Sequence, residues 1–184
     1  MNFKKVITVL NYLASRLGPI DKLKIVKLLY FIDKFHFIQY GRFVTNDCYI
    51  KMPYGPVPSK VLDVIDNPDI MLEPAFSAYL QENISIDMAS NKRTITSLKK
   101  PDIEELSKSE IKIIDHVIAE YGKYSAPRLV DLTHQEKAWI NAGELDELAI
   151  EDILDGIDEE RKIELISLYK DSLTTNKAFR SIML

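Results

Sequence analysis

The fold of this chain is decided by the stretch LKIVKLLYFIDKFHFIQY, which runs from Leu23 to Tyr40. When its residues are projected at about 100° each, the apolar side chains fall into two opposite sectors of a helix. Lysines and other polar residues fill the two narrow seams between these sectors. The pattern predicts a central helix that is buried on two sides. Phe31 and Ile38 fall in the lysine seam, where packing on the two main faces does not explain them.

A rigid aromatic turn follows this helix after Gly41. The chain from Val44 to Lys51 is predicted to be a loop or a short strand. Tyr54-Gly55-Pro56 is predicted to be a turn, which the neighbouring prolines stiffen. Ser59 is expected to cap the short helix that comes next.

Other helices have their own start signals. Ser107 and Glu110 have the spacing of a capping box, Ser125 precedes a helix with a proline in its first turn, and Asp158 opens the last helix. That last helix is expected to bury an apolar stripe made of Ile163, Ile166, Tyr169 and Leu173.

One segment has the two-residue period of a strand. Between residues 84 and 98, apolar and polar residues alternate around a turn at Ser90-Asn91-Lys92, which predicts a β-hairpin. Together the patterns predict a mainly α protein of the α+β class. We expect a single compact helical domain over residues 1–184, built around the central buried helix, with one small hairpin near residues 84–98.

Composition indicates a folded protein of the cell interior. Hydrophobic residues make up 46% of the 184 residues and charged residues 28%, which is typical of a globular domain. No apolar run approaches the roughly 20 residues of a membrane helix, and no secretory signal is recognisable at the start. The single cysteine, Cys48, excludes an intramolecular disulfide and suits a reducing compartment. We therefore expect a cytoplasmic protein without a membrane partner.

Charge is distributed unevenly along the chain. Residues 1–58 carry nine Lys or Arg against three Asp, a net charge of +6, which leaves −10 for the rest. Acidic residues are densest from Glu144 to Glu160, and such a surface repels nucleic acid phosphates. Two solvated faces of opposite sign are the simpler interpretation, and a partner with an acidic surface is the alternative.

Residues capable of chemistry are few. Asp33 and His36 lie three residues apart on the central helix and could form an acid/base pair, although no nucleophile is close in sequence. His116 and Glu120, beside Asp115, have a spacing that could present metal ligands, but a zinc site needs three or four ligands that converge. No glycine-rich phosphate loop and no base-reading helix is present in the sequence. We expect no cofactor, no metal and no nucleic acid partner.

Two blocks of residues resemble a known family. The first joins the stretch from Leu23 to His36 with Tyr40-Gly41, Asp47-Cys-Tyr49 and Gly55-Pro56-Val57. The second is Ser125-Ala-Pro-x-Leu-x-x-Leu-Thr-His134, followed by Trp139. Jointly these blocks resemble the Panacea domain of SocA-like antitoxins, over about residues 5–145. An acidic helical part, about residues 146–175, completes the domain.

The resemblance implies a function. It makes this chain the antitoxin of a toxin–antitoxin pair, which binds a cognate protein toxin, encoded by the adjacent gene, and neutralises it directly. One branch of the family acts instead as a proteolytic adaptor that delivers its toxin to a AAA+ protease. A small helical enzyme that uses Asp33, His36 or His134 is the alternative from another class.

Site roles follow as hypotheses. Residues expected to contact the toxin are Phe31, Lys34, Ile38, Tyr54, Gly55, Pro56 and Val57. Residues expected to build the structural motif are Tyr30, Asp33, Phe35, Gly41, His134 and Trp139, although His134 and Trp139 could also anchor a partner. Alanine at Phe31 or Tyr54 is expected to weaken neutralisation and leave thermal stability nearly unchanged.

Overall fold

A computed structural model of the chain describes residues 1–89 and 91–182, with side chains as far as Asp171. This part of the chain is mainly helical, with two small antiparallel hairpins. The helices are α1 (Phe3–Leu17), α2 (Lys22–Tyr40), α3 (Ser59–Asp66), α4 (Pro68–Met71), α5 (Pro74–Asn83), α6 (Lys108–Tyr121), α7 (Ala126–Thr133), α8 (Lys137–Asn141), α9 (Ile150–Ile153) and α10 (Glu159–Ile182), with a 3-10 turn at Ile103–Glu105. The strands are β1 (Tyr49–Met52), β2 (Gly55–Pro58), β3 (Ile84–Ile86) and β4 (Ile95–Ser97). The predicted fold class is confirmed.

The central helix of the domain is α2. Asp21 caps its start by accepting a hydrogen bond from the Lys24 N–H at 2.9 Å. Gly41 ends it in the left-handed conformation, at φ +67°, and donates to the Phe37 carbonyl. Helices α6 and α7 and strand β2 pack on α2, so every residue from Ile25 to Asp33 is buried.

The lysine seam of α2 is also covered, which the sequence did not indicate. Phe31 is only 3% exposed, and its ring stacks on Tyr121 of α6 with centroids 4.4 Å apart. Ile38 is half-buried and packs on the core. The interpretation that packing leaves Phe31 unexplained is therefore wrong, because α6 forms a third side around the helix.

The predicted hairpin at residues 84–98 is confirmed. Strands β3 and β4 pair antiparallel, with Ile84 opposite Ser97 and Ile86 opposite Ile95. Asn91 and Lys92 lie in the turn, and Ser90 lies outside the described residues. The hairpin packs on α1.

A second hairpin lies where a loop or short strand, followed by a turn, was predicted. Strands β1 and β2 pair antiparallel around a tight turn at Pro53 and Tyr54. Pro56 and Pro58 argue against a strand, but they alternate along β2, so their nitrogens lie on one edge. The other edge pairs with β1, which explains how a proline-rich segment forms a strand. Residues 145–148 hydrogen-bond to the free edge of β1.

Most helix signals are confirmed. The Ser107–Glu110 capping box is present, and the Ser125 hydroxyl accepts from the Arg128 N–H. The cap assigned to Ser59 is wrong, because Ser59 is the first helical residue of α3. The Asp47 carboxylate takes that role and accepts from the Val61 N–H at 2.9 Å.

The buried stripe of α10 is only partly as predicted. Ile163 is 68% exposed, whereas Leu165 is fully buried. Ile166 and Tyr169 pack on the core, and the side chain of Leu173 lies outside the described part of the chain.

Candidate functional site

The base of the β1–β2 hairpin is held by Asp33, a fully buried carboxylate in the middle of α2. One carboxylate oxygen accepts from the backbone N–H groups of Val44 at 2.6 Å and Thr45 at 3.0 Å. The other oxygen accepts from the hydroxyls of Thr45 and Tyr49, the latter at 2.8 Å. Burial raises the pKa of Asp33 to about 6, and the hydrogen bonds oppose this rise because they stabilise the carboxylate. Asp33 thus fixes the chain that leads into β1.

The second strand of the hairpin is held by Lys27. This lysine is fully buried in α2, and its Nζ donates to the Pro56 carbonyl at 2.7 Å. Burial lowers the pKa of Lys27 to about 7, because the charged amine loses its hydration.

Gly55 is the point where the two motif blocks meet. It has φ +94°, and a Cβ there would lie 2.5 Å from Thr133 Oγ1 and 3.1 Å from Lys27 Nζ. The backbone conformation and the close approach both call for glycine. Thr133 of the second block therefore packs directly on the strand of the first.

His134 and Trp139 cover the end of β1. Their rings stack with centroids 3.9 Å apart and an interplanar angle of 15°. Trp139 Nε1 donates to the Met52 carbonyl at 3.1 Å, and Lys51 Nζ lies 4.6 Å from the centre of the Trp139 ring. The two rings lie against the hairpin. A different residue of the second motif block contacts α2.

That residue is Glu136, between α7 and α8. Its carboxylate accepts hydrogen bonds from the Tyr30 hydroxyl at 3.2 Å and from Lys34 Nζ. Both donors belong to α2, and Lys34 and Glu136 are both largely buried. The charge of Lys34 is therefore paired within the fold.

The residues predicted to contact a toxin divide sharply by exposure. Phe31, Gly55, Pro56 and Val57 are buried, and Lys34 and Ile38 are half-buried. Tyr54 alone among the seven is exposed, with 68% of its surface accessible at the tip of the hairpin. Of the residues predicted to be structural, Tyr30, Asp33 and Gly41 are buried, and Phe35, His134 and Trp139 are half-buried.

The three residues of the enzymatic alternative do not share a site. Asp33 bonds to the chain before β1, as described above. His36 Nδ1 donates to the Arg42 carbonyl at 2.8 Å, and its Nε2 accepts from the Ser109 hydroxyl. His134 stacks on Trp139. Each side chain is thus engaged with a different part of the fold.

The other residues that were considered for catalysis or metal binding make ordinary packing and hydrogen-bond contacts. His116 is exposed and packs edge-on against Phe35. Asp115 accepts from the Tyr12 hydroxyl and Arg16. Burial raises the pKa of the Cys48 thiol, so the reactive thiolate is disfavoured. Within the described residues, no three His, Cys, Asp or Glu side chains are grouped to hold a metal ion.

A cleft of about 690 Å³ lies between the starts of α2 and α7. Asp21 and Ser125, in its wall, cap these two helices. Lys24 Nζ, also in the wall, donates to the Gly122 carbonyl at 2.7 Å. These three polar groups of the cleft therefore serve the fold.

Two exposed apolar residues beside the hairpin were missed from the sequence. Ile140 is 54% exposed and Leu145 is 69% exposed. Lys51 of β1 contacts both, since its Nζ lies 3.4 Å from the Ile140 carbonyl and its own carbonyl accepts from the Leu145 N–H at 3.1 Å. The sequence signal was an apolar residue inside an acidic run, which favours an ordered segment but does not reveal exposure.

Comparison with known proteins identifies a family. A sequence model of the family described as "Antitoxin SocA-like, Panacea domain" matches residues 25–140. That range contains most of α2, the β1–β2 hairpin and Trp139, which carry the site. No curated protein and no solved structure matches the chain. Among the described residues, no helix is both long and apolar enough to cross a membrane.

Proposed function

The chain belongs to the family of SocA-like antitoxins with a Panacea domain, and we propose that it neutralises a protein toxin by binding it directly. The toxin is the product of the adjacent gene, and the complex forms in the cytoplasm. In this proposal the chain performs no reaction, takes no cofactor and acts only through the shape and charge of its surface.

The observation that carries the proposal is the exposure of Tyr54 on a rigid support. Below it, Asp33 and Lys27 hold the two strands of the hairpin from α2. Tyrosine is favoured in binding hot spots because it buries a large ring and loses little conformational freedom. A tip that is already ordered before binding costs less entropy to immobilise than a flexible loop.

The arrangement of polar groups also favours binding over catalysis. Asp33 and Lys27 have shifted pKa values, which is a feature of many active sites. Both groups are fully buried: Asp33 holds a backbone N–H of the chain that leads into β1, and Lys27 holds a backbone carbonyl of β2. A structural role accounts for these shifts without a substrate.

Co-expression with the neighbouring gene tests the proposal. The neighbour is induced alone, with this chain, and with this chain in a host that lacks the candidate AAA+ protease. Direct neutralisation predicts that the neighbour is toxic, that this chain restores growth in both hosts, and that the two proteins co-purify in a fixed ratio.

The other outcomes overturn direct neutralisation. Rescue that disappears without the protease, together with loss of the toxin in the host that has it, supports the adaptor role instead. A neighbour that is not toxic removes the toxin–antitoxin assignment altogether.

A further inference from the structure

The surface beside the hairpin contains a residue in an unfavourable backbone conformation. Residues 143–146 form a tight turn, closed by a hydrogen bond from the Asp146 N–H to the Gly143 carbonyl at 3.1 Å. Leu145 is the third residue of this turn and has φ +63°. Glycine or asparagine is usual at such a position, because a branched side chain is strained there.

Hydrogen bonds hold the backbone of Leu145 in place, and its side chain points to the solvent. Its N–H donates to the Lys51 carbonyl, and the Lys51 N–H donates to the Asp146 carbonyl at 2.9 Å. Even so, its side chain is 69% exposed and adds little to the core. Strain that the surrounding structure maintains is concentrated at functional sites in proteins.

Two further exposed apolar residues lie near Leu145. Lys51 is hydrogen-bonded to the backbone of both Leu145 and Ile140, and it lies three residues before Tyr54 in the same hairpin. We define the Leu145 surface as Tyr54, Ile140 and Leu145. All three side chains are more than half exposed.

The rim of the Leu145 surface is acidic. Glu144, Asp146 and Glu147 adjoin Leu145 and are exposed, and the sequence has nine Asp or Glu and no Lys or Arg from residue 144 to residue 160. Of the cations nearby, Lys51 Nζ donates to the Ala142 carbonyl at 2.8 Å, and Lys137 pairs with Asp155. Lys51 keeps its positive charge, because a carbonyl does not neutralise it, but the carboxylates of Glu144, Asp146 and Glu147 outnumber it, so the rim is net negative.

We propose that the Leu145 surface is the toxin-binding face of this chain, and that it takes a toxin surface with an apolar centre surrounded by Lys and Arg side chains. This inference rests on the proposed function. It extends that function beyond the matched residues 25–140, because Leu145 and its acidic neighbours lie outside them. Opposite charges speed association and exclude acidic partners, and the apolar centre supplies affinity. A second copy of this chain is a poor occupant, since two acidic rims repel each other.

The test uses the purified product of the adjacent gene as the probe. Leu145→Asn removes the apolar side chain and suits the left-handed backbone, so the fold should persist. We expect the Kd to rise about tenfold or more. Ile70→Asn is the control, because Ile70 is 82% exposed on α4, which packs on α3 and α5, and it should leave the Kd unchanged.

Charge reversal tests the rim. Glu144→Lys with Glu147→Lys should slow association about tenfold at low salt and weaken its salt dependence. Asp63→Lys with Glu120→Lys changes the net charge equally at exposed sites elsewhere and should have a much smaller effect.

The outcomes separate the two proposals. If the wild-type chain binds and neutralises the probe and Leu145→Asn does so equally well, the Leu145 surface is wrong and the antitoxin proposal stands. If the wild-type chain does not bind the probe, both fail. A wild-type dimer that Leu145→Asn converts to a monomer would assign the surface to self-association and overturn the inference.

Discussion

The buried side and the exposed tip of the β1–β2 hairpin differ in almost every physical respect. On the buried side, Asp33, Lys27 and Gly55 are each placed by contacts with tight geometric limits. At the tip, Tyr54 is exposed, and so is Leu145, whose N–H donates to the Lys51 carbonyl of the same hairpin. The contrast shows that most motif residues near the hairpin hold a support together, while few residues are presented by it.

Truncating a buried ring on α2 should have the largest effect on stability. Phe31→Ala removes a side chain that stacks on Tyr121 and is 3% exposed, so we expect a loss of about 3–5 kcal/mol of unfolding free energy. Denaturant unfolding of Phe31→Ala and Ile70→Ala measures it, and the exposed Ile70 site should change by less than about 0.5 kcal/mol. This replaces the expectation that alanine at Phe31 spares stability. Equal stability of the two variants would place Phe31 outside the core.

A methyl group at Gly55, on the buried side of the hairpin, should have the next largest effect. Gly55→Ala meets both a strained φ and the Thr133 hydroxyl, so we expect a loss of about 2–3 kcal/mol. Gly156→Ala is the matched control, because Gly156 also has a positive φ, +81°, but nothing lies within 4 Å of its Cβ position. Its loss should be about 1 kcal/mol, from backbone strain alone. If both variants lose the same free energy of unfolding, the contact between the two motif blocks does not contribute to stability.

The pH dependence of stability should show the lowered pKa of the buried Lys27 amine. The pKa of Lys27 is lowered from 10.5 to about 7 in the folded chain, so the unfolded state binds more protons between these values and stability rises with pH. From pH 7 to pH 9, the wild type should gain about 2 kcal/mol relative to Lys27→Met. Comparison with this variant cancels the titration of other groups. A constant difference over that range would mean that Lys27 is solvated.

Asp33 should give stability the opposite pH dependence, in a more acidic range. Its folded pKa is raised from 3.8 to about 6, so its contribution is complete below pH 3.8 and is lost as the pH rises through about 6. The stability of the wild type relative to Asp33→Asn should therefore fall between pH 4 and pH 6. Paired denaturant titrations at these two pH values measure it, and a relative increase with pH would contradict the raised pKa.

The sequence predicted the framework because local signals agreed with the final packing. The two-sided burial of α2, the Ser107 capping box and the β3–β4 hairpin each follow from residues close together in the chain. The β1–β2 hairpin was predicted only in part, as a loop or short strand followed by a turn, because prolines normally argue against a second strand and the Lys27 contact that holds β2 comes from another element.

Exposure was the property that the sequence predicted least well. Periodicity places Phe31 in a polar seam, but the helix that covers this seam, α6, lies about 80 residues further along the chain. Leu145 gives the reverse case, since an apolar residue in an ordered segment is presented outward by a turn. Both outcomes depend on long-range packing, which a single sequence does not display.

The most direct test of the account is Tyr54→Ala, measured for both stability and toxin binding. Because Tyr54 is 68% exposed at the hairpin tip, we expect the free energy of unfolding to change by less than about 0.5 kcal/mol. Calorimetric titration with the product of the adjacent gene should show a Kd about tenfold or more above that of the wild type. An unchanged Kd, or a loss of stability as large as that of Phe31→Ala, would contradict the claim that the hairpin presents Tyr54 to a toxin.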